Sequence, residues 1–211
     1  MDDLTHAFYA RYAAAGAAAE SPRSAMLPYL LRWLPAGSTV LDVGAGAGRD
    51  VAALLAAGLP AWGLEPHDGM RLQAESLFPA TRGRLRPASL PELGRPWADA
   101  CPLGFDAVVC SAVLMHVAPA DLPRALASMV EQLGPAHAGR PARLLLAVPE
   151  MDAVRLAGGR DADARCFHNH APATLQALLA AHGLALLEAA VNDAVLASEG
   201  TRWHMLVFGG G

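Results

Sequence analysis

The hydrophobic pattern of this chain switches repeatedly between short apolar runs and helical stripes. Thr39-Val40-Leu41-Asp42-Val43 is a β-branched, nearly continuous apolar run, the pattern of a strand buried on both faces of a parallel sheet. A glycine loop follows, then a helical stretch over 49–57 that Gly58 stops. The alternation continues with a strand over 61–64, a helix over 68–77, a short strand over 84–86, a strand over 105–110, a helix over 120–133 and a strand over 142–148. Upstream, residues 4–19 read as a helix carrying Phe8, Tyr9 and Tyr12. Ser21-Pro22 then starts a second helix, a capping hydroxyl before a proline, which runs to about Trp33 and ends at Pro35-Ala36-Gly37. Downstream, a helix over 172–182 is opened by Pro172 and stopped by Gly183. Segments 184–190 and 202–208 are strands with no helix between them, so they pair antiparallel.

Strand alternating with helix predicts an α/β fold, a three-layer sandwich around a mainly parallel, doubly wound sheet with a C-terminal antiparallel strand pair. The length of 211 residues suits a single domain over 1–211, with 1–34 as an N-terminal helical lid. Residues 149–171 lack periodicity and are long for a connection, which marks them as a candidate substrate or lid loop. In such sheets ligands sit beyond the C-terminal strand ends, where the strand order reverses direction.

Composition narrows the chemistry. Apolar residues make up 54% of the chain and charged ones 17%, which supplies a core and excludes global disorder. A net charge of -4 argues against a nucleic-acid partner, and no apolar run reaches the roughly 20 residues of a membrane span. All 16 basic residues are arginine, so neither a Schiff base nor a phosphate-loop lysine is possible. Cys101, Cys110 and Cys166 match neither a disulfide framework nor a zinc knuckle, and the acidic N-terminus is unlike an export signal, so a cytoplasmic protein is the expectation.

The chemistry concentrates in Asp42-Val43-Gly44-Ala45-Gly46-Ala47-Gly48. Alternate glycines let the backbone leave a buried strand tightly and approach a ligand, while the following helix offers its N-terminal N–H groups. A phosphate loop requires a lysine, and a dinucleotide fingerprint requires glycine where Arg49 stands. An adenosyl cofactor without a pyrophosphate suits the spacing best. Glu65, at the end of the next strand and about 17 residues beyond the loop, is placed to accept both hydroxyls of a ribose.

These segments, with Phe105-Asp106-Ala107-Val108-Val109-Cys110-Ser111-Ala112-Val113-Leu114-Met115-His116, resemble the class I S-adenosylmethionine-dependent methyltransferases over roughly residues 25–150. The resemblance implies that S-adenosyl-L-methionine is the cofactor, with Gly44, Gly46 and Gly48 along its methionine part and Glu65 on its ribose. By the same resemblance Asp42 holds the amino group, and Ser111, Ala112 and Val113 border the methyl group and the acceptor. The family often places an acid after the third strand for the adenine amino group; Arg86-Pro87-Ala88-Ser89-Leu90 offers none, and Ser89 with nearby backbone takes its place. Tyr9 and Tyr12 belong to a lid over the cofactor, or pack as one face of a helix.

His116 is the first candidate for a general base, followed by Glu150 and His170; packing beneath the cofactor is the competing role for His116. Cys166, His168 and His170 have the wrong spacing for a metal site, so no metal is expected. Cys101-Pro102 reverses the order used by RNA cytosine methylases, and Ser111-Ala112-Val113-Leu114 lacks the proline-aromatic motif of DNA amino-methylases. A small-molecule methyl acceptor is the resulting expectation, with oligomeric state left open. The alternatives are a nicotinamide (NAD(P)) oxidoreductase on the same architecture and a non-catalytic cofactor-binding subunit.

Overall fold

The computed structural model describes residues 3–15, 24, 26–136, 140, 142–192 and 201–210. Its elements are α1 (Asp3–Ala15), α2 (Leu27–Trp33), β1 (Val40–Val43), α3 (Arg49–Ala56), β2 (Ala61–Leu64), α4 (Asp68–Leu77), β3 (Leu85–Arg86), β4 (Ala107–Ser111), α5 (Leu122–Val130), β5 (Arg143–Met151), α6 (Pro172–Ala180), β6 (Ala185–Asn192) and β7 (Thr201–Gly209). The sheet has seven strands in the order β3-β2-β1-β4-β5-β7-β6. Strands β1 to β5 run parallel, and β7 is antiparallel to both neighbours. The expected α/β sandwich with a closing antiparallel pair is therefore the fold.

Each face of β1 feeds a different core, because successive side chains point to opposite sides. Leu41 and Val43 join Leu122, Leu126 and Met129 of α5 and Leu175 and Leu179 of α6. Val40 joins Leu30 of α2 and Val51 and Leu54 of α3 on the other face. The same side of β1 carries Asp42 toward the N-terminus of α3. Both faces of the central strands are thus covered, which explains their unbroken apolar runs.

The N-terminal segment divides into two parts with different surroundings. α1 packs against α4, with Thr5 fully buried. α2 is a core element: Leu30 is fully buried and Trp33 donates its indole N–H to Glu188 of β6 at 2.7 Å. Its start is supplied by Ser24, whose Oγ accepts the N–H groups of Met26 and Leu27, each at 3.1 Å. The Ser21-Pro22 signal lies outside the described residues.

β5 runs three residues beyond its expected end, so Pro149 is a strand residue opposite Trp203. β4 pairs with β5 only as far as Ala147, and beyond that point β5 is an edge on one side, where a proline is tolerated. Among the described residues no helix is long and apolar enough to cross a membrane.

Leu145 sits on the central part of β5 with no exposed surface. Leu145→Ala removes that packing and is expected to cost about 2–5 kcal/mol, read as a lowered urea midpoint with an unchanged slope.

Candidate active site

Sheet order reverses between β1 and β4, and the loops that leave these strands meet there. Gly44, Gly46 and Gly48 all adopt left-handed backbone, with φ of 79°, 52° and 74°. Gly44 and Ala45 both donate their N–H to the carbonyl of Leu64, which hooks the loop onto the end of β2. A Cβ on Gly44 would lie 2.2 Å from Cγ2 of Val113, so only glycine allows the loops after β1 and β4 to touch. A Cβ on Gly48 would lie 2.7 Å from Cβ of Ala74. Gly48 therefore serves close packing of the α3 start against α4.

Glu65 is 6% exposed, and each of its carboxylate oxygens accepts a backbone N–H. Gly46 donates to Oε2 and His67 to Oε1, both at 2.9 Å, and Arg71 donates to the Glu65 carbonyl at 2.5 Å. Burial raises its pKa, and the two N–H donors and the Arg71 charge work against that rise. Asp42 is 3% exposed, and its pKa stands well above the ordinary carboxylate value. Burial is the main cause, and the charges of Asp50 and Glu65 add to it. Asp50, in the first turn of α3, is also raised by burial, offset by a hydrogen bond from Ser24 and by Arg49. Three acids thus converge under the glycine loop.

A cavity of about 230 Å³ opens above these strand ends. Val43, Gly44, Pro66, Ala88, Ser89 and Leu90 line one part, and Val113, His116, Val117, Asp121, Cys166 and His168 line another. His116 ends a 3₁₀ turn over Leu114–His116, and both of its ring nitrogens are engaged. Its Nδ1 lies 2.7 Å from the carbonyl of Cys166, so Nδ1 carries the proton and Nε2 presents a lone pair. The Tyr9 hydroxyl of α1 donates to that Nε2 at 2.9 Å. Burial raises the Tyr9 pKa and the nearby Arg165 charge works against that rise; Arg165 is itself held by Asp161 at 2.7 Å.

Gly44, Ser89 and His116 therefore face the cavity, while Asp42, Gly46 and Glu65 sit by the adjoining ends of β1 and β2 and do not line it. Ser111 ends β4, and the side chain of Tyr12 lies outside the described residues; among those described, Tyr9 of α1 reaches the site. Two base candidates are displaced. Glu150 accepts hydrogen bonds from Arg202 at 3.0 Å and His204 at 2.7 Å across β5 and β7, which lower its pKa, His204 foremost. His170 is buried and donates Nε2–H to the carbonyls of Leu114 and Val117, at 2.9 and 3.1 Å, which anchors the 3₁₀ turn. Sequence reasoning missed Asp50 and Arg165. The only sequence sign of Asp50 is an acid in a helical first turn, and Arg165 lies in an aperiodic segment that carries none.

Residues 41–136 match a family model described as a methyltransferase domain. No curated protein matches by sequence. Among solved structures, the magnesium protoporphyrin IX methyltransferase of Synechocystis, solved with bound SAH, shares 15% identity at a TM-score of 0.66, over 99% of this chain and 86% of that one. The 1,6-didemethyltoxoflavin-N1-methyltransferase of Burkholderia thailandensis shares 22% identity at a TM-score of 0.65, over 98% and 83%. A TehB-like SAM-dependent methyltransferase from Corynebacterium glutamicum shares 17% at 0.60, over 98% of each chain. All three share the fold.

Asp42 weighs against the free protein. Its folded pKa exceeds its unfolded one, so its penalty is absent below about pH 4 and grows as pH rises through the folded value. Asp42→Asn is therefore expected to raise the Tm of the ligand-free protein at pH 7.5, by on the order of 1–3 kcal/mol of stability. The advantage over the unaltered chain should vanish near pH 4 in thermal melts.

Proposed function

We propose that this chain, which carries a methyltransferase domain over residues 41–136, is an S-adenosylmethionine-dependent methyltransferase acting on a small-molecule acceptor by in-line transfer. The observation that carries this reading is the acidic floor of the site. Asp42 is buried with Asp50 and Glu65 as its charged neighbours, an arrangement that costs free energy until a cation sits against it. S-adenosylmethionine brings an ammonium and a sulfonium. A dinucleotide brings a pyrophosphate, which the same acids would repel. When bound, the cofactor supplies an electrophilic methyl group.

The residues then divide the work. Asp42 holds the ammonium, while the backbone of Gly44 and Gly46 lies along the methionine part and Gly48 keeps the helix start in place. Glu65 keeps a free lone pair on each oxygen after accepting Gly46 and His67, and these take the two ribose hydroxyls. Ser89 and the backbone of Leu90 meet the adenine. Ser111, with Val113 above it, borders the transferring methyl, and α1, with Tyr9 and Tyr12, closes over the cofactor. The segment from Asp152 to Ala171 walls the acceptor side through Cys166 and His168.

Holding nucleophile and methyl carbon in line is the main task, worth roughly 7–11 kcal/mol of barrier. His116 takes the acceptor's proton where the acceptor arrives protonated. The acceptors named for two neighbours of the same fold, a porphyrin and a toxoflavin precursor, are small molecules, which supports the same class here. Three free cysteines suit a reducing compartment, and we place the protein in the cytoplasm.

Isothermal titration tests the reading. S-adenosylhomocysteine should bind, NAD(H) should not, and Glu65→Ala should weaken S-adenosylhomocysteine about 10- to 100-fold by removing a charged hydrogen-bond acceptor. Tight NAD(H) binding would point to an oxidoreductase, and cofactor binding without turnover on any acceptor to a regulatory subunit.

A further inference from the structure

His116 Nε2 has one lone pair, and in this structure a residue of the protein already holds it. Nδ1–H is committed to the Cys166 carbonyl at 2.7 Å, so Nε2 is purely an acceptor, and the Tyr9 O–H occupies it at 2.9 Å. An acceptor molecule cannot deliver its proton to Nε2 while that bond stands. Tyr9 comes from α1, which is joined to the segment over the cavity by a second bond, from the Cys166 N–H to Thr5 Oγ1 at 2.8 Å.

The surroundings of the Tyr9 phenol are those an aromatic hydroxyl would need in order to react. The His116 ring meets Tyr9 edge-on at 5.6 Å and the His67 ring lies at 6.1 Å. The Arg165 guanidinium stands near the phenol, fixed by Asp161 and stacked over Phe8. Burial keeps the Tyr9 pKa above its ordinary value, so Tyr9 stays a phenol and a donor.

Resting on the methyltransferase reading, we propose that Tyr9 is a resident mimic of the acceptor, and that the acceptor is a small uncharged aromatic bearing an ionisable hydroxyl. Its O–H displaces the Tyr9 O–H from His116 Nε2 as α1 gives way. The acceptor O–H bond then breaks with its proton passing to Nε2, an oxygen lone pair forms the O–CH₃ bond, and the C–S bond breaks with its electron pair returning to sulfur. Arg165 stabilises the oxygen as its charge develops. A phenolate has lone pairs enough to accept from Arg165 and still attack, whereas an amine has one pair and must choose. The described residues lining the cavity include no arginine, and Arg165 beside Tyr9 is already paired with Asp161, so no uncompensated guanidinium is left there to clamp a carboxylate or phosphate on the acceptor.

The test uses 4-nitrophenol as the probe, titrated into the full chain loaded with S-adenosylhomocysteine, with the phenolate absorbance as the readout. Tyr9→Phe, which keeps the ring and removes the competing hydroxyl, should tighten 4-nitrophenol about tenfold. His116→Ala should abolish the phenolate signal of the bound probe, and Arg165→Met should lower the phenolate fraction at a given pH while Arg165→Lys restores part of it. Probe binding that is unchanged or weaker in Tyr9→Phe, with melting temperature and S-adenosylhomocysteine affinity intact, overturns the proposal. So does a phenolate signal indifferent to His116→Ala. Failure of S-adenosylhomocysteine itself to bind defeats the cofactor reading instead, so the two failures are distinguishable.

Discussion

The carboxylate of Glu65 bridges the loop after β1 and the start of α4. It accepts one N–H from the loop after β1 and one from the start of α4, and so ties the strand ends that form the floor of the site. The bond is made from a buried side chain, where hydrogen bonds are strong and a missing partner is costly. The glycine loop is pinned from the other side by the Leu64 carbonyl, and its shape leaves no room for a Cβ against Val113. The positions of Asp42 and the glycine loop are set by this junction of β1, β2 and β4.

That junction is charged against itself. Asp42, Asp50 and Glu65 lie under one loop, and the most buried of them has acids for its charged neighbours. Such sites sacrifice stability of the free protein for recognition of a ligand with the opposite charge. Asp50 extends the arrangement outward. Burial raises the Asp50 pKa and Ser24 works against it; Ser24 also caps the start of α2, so the acidic floor reaches that helix.

The second half of the site is assembled from distant pieces of the chain. His116 comes from the turn after β4, Tyr9 from α1, and Cys166 and Arg165 from the irregular segment before α6. His170 belongs to the same segment, but its part is to hold the 3₁₀ turn by two backbone carbonyls. Two histidines only two residues apart from one another in a loop, His168 and His170, thus end in a cavity wall and in the core respectively.

The alternation of apolar runs and stripes determined the α/β sandwich, because a strand covered on both faces has to be apolar along its length. The alternate glycines and Glu65 were likewise legible, since close approach and ribose recognition depend on local backbone and one side chain at a strand end. Three things were decided only by the folded chain. Pro149 reads as a terminator but continues β5, because β4 has already ended beside it and leaves an edge that asks for no N–H. The group at 1–34 splits, with α2 drawn into the core by Leu30 and α1 left over the site. The meeting of Tyr9, His116 and Arg165 joins segments separated by up to 156 positions. No local periodicity encodes such a contact; it follows from packing a lid helix onto a loop across the reversal of the sheet.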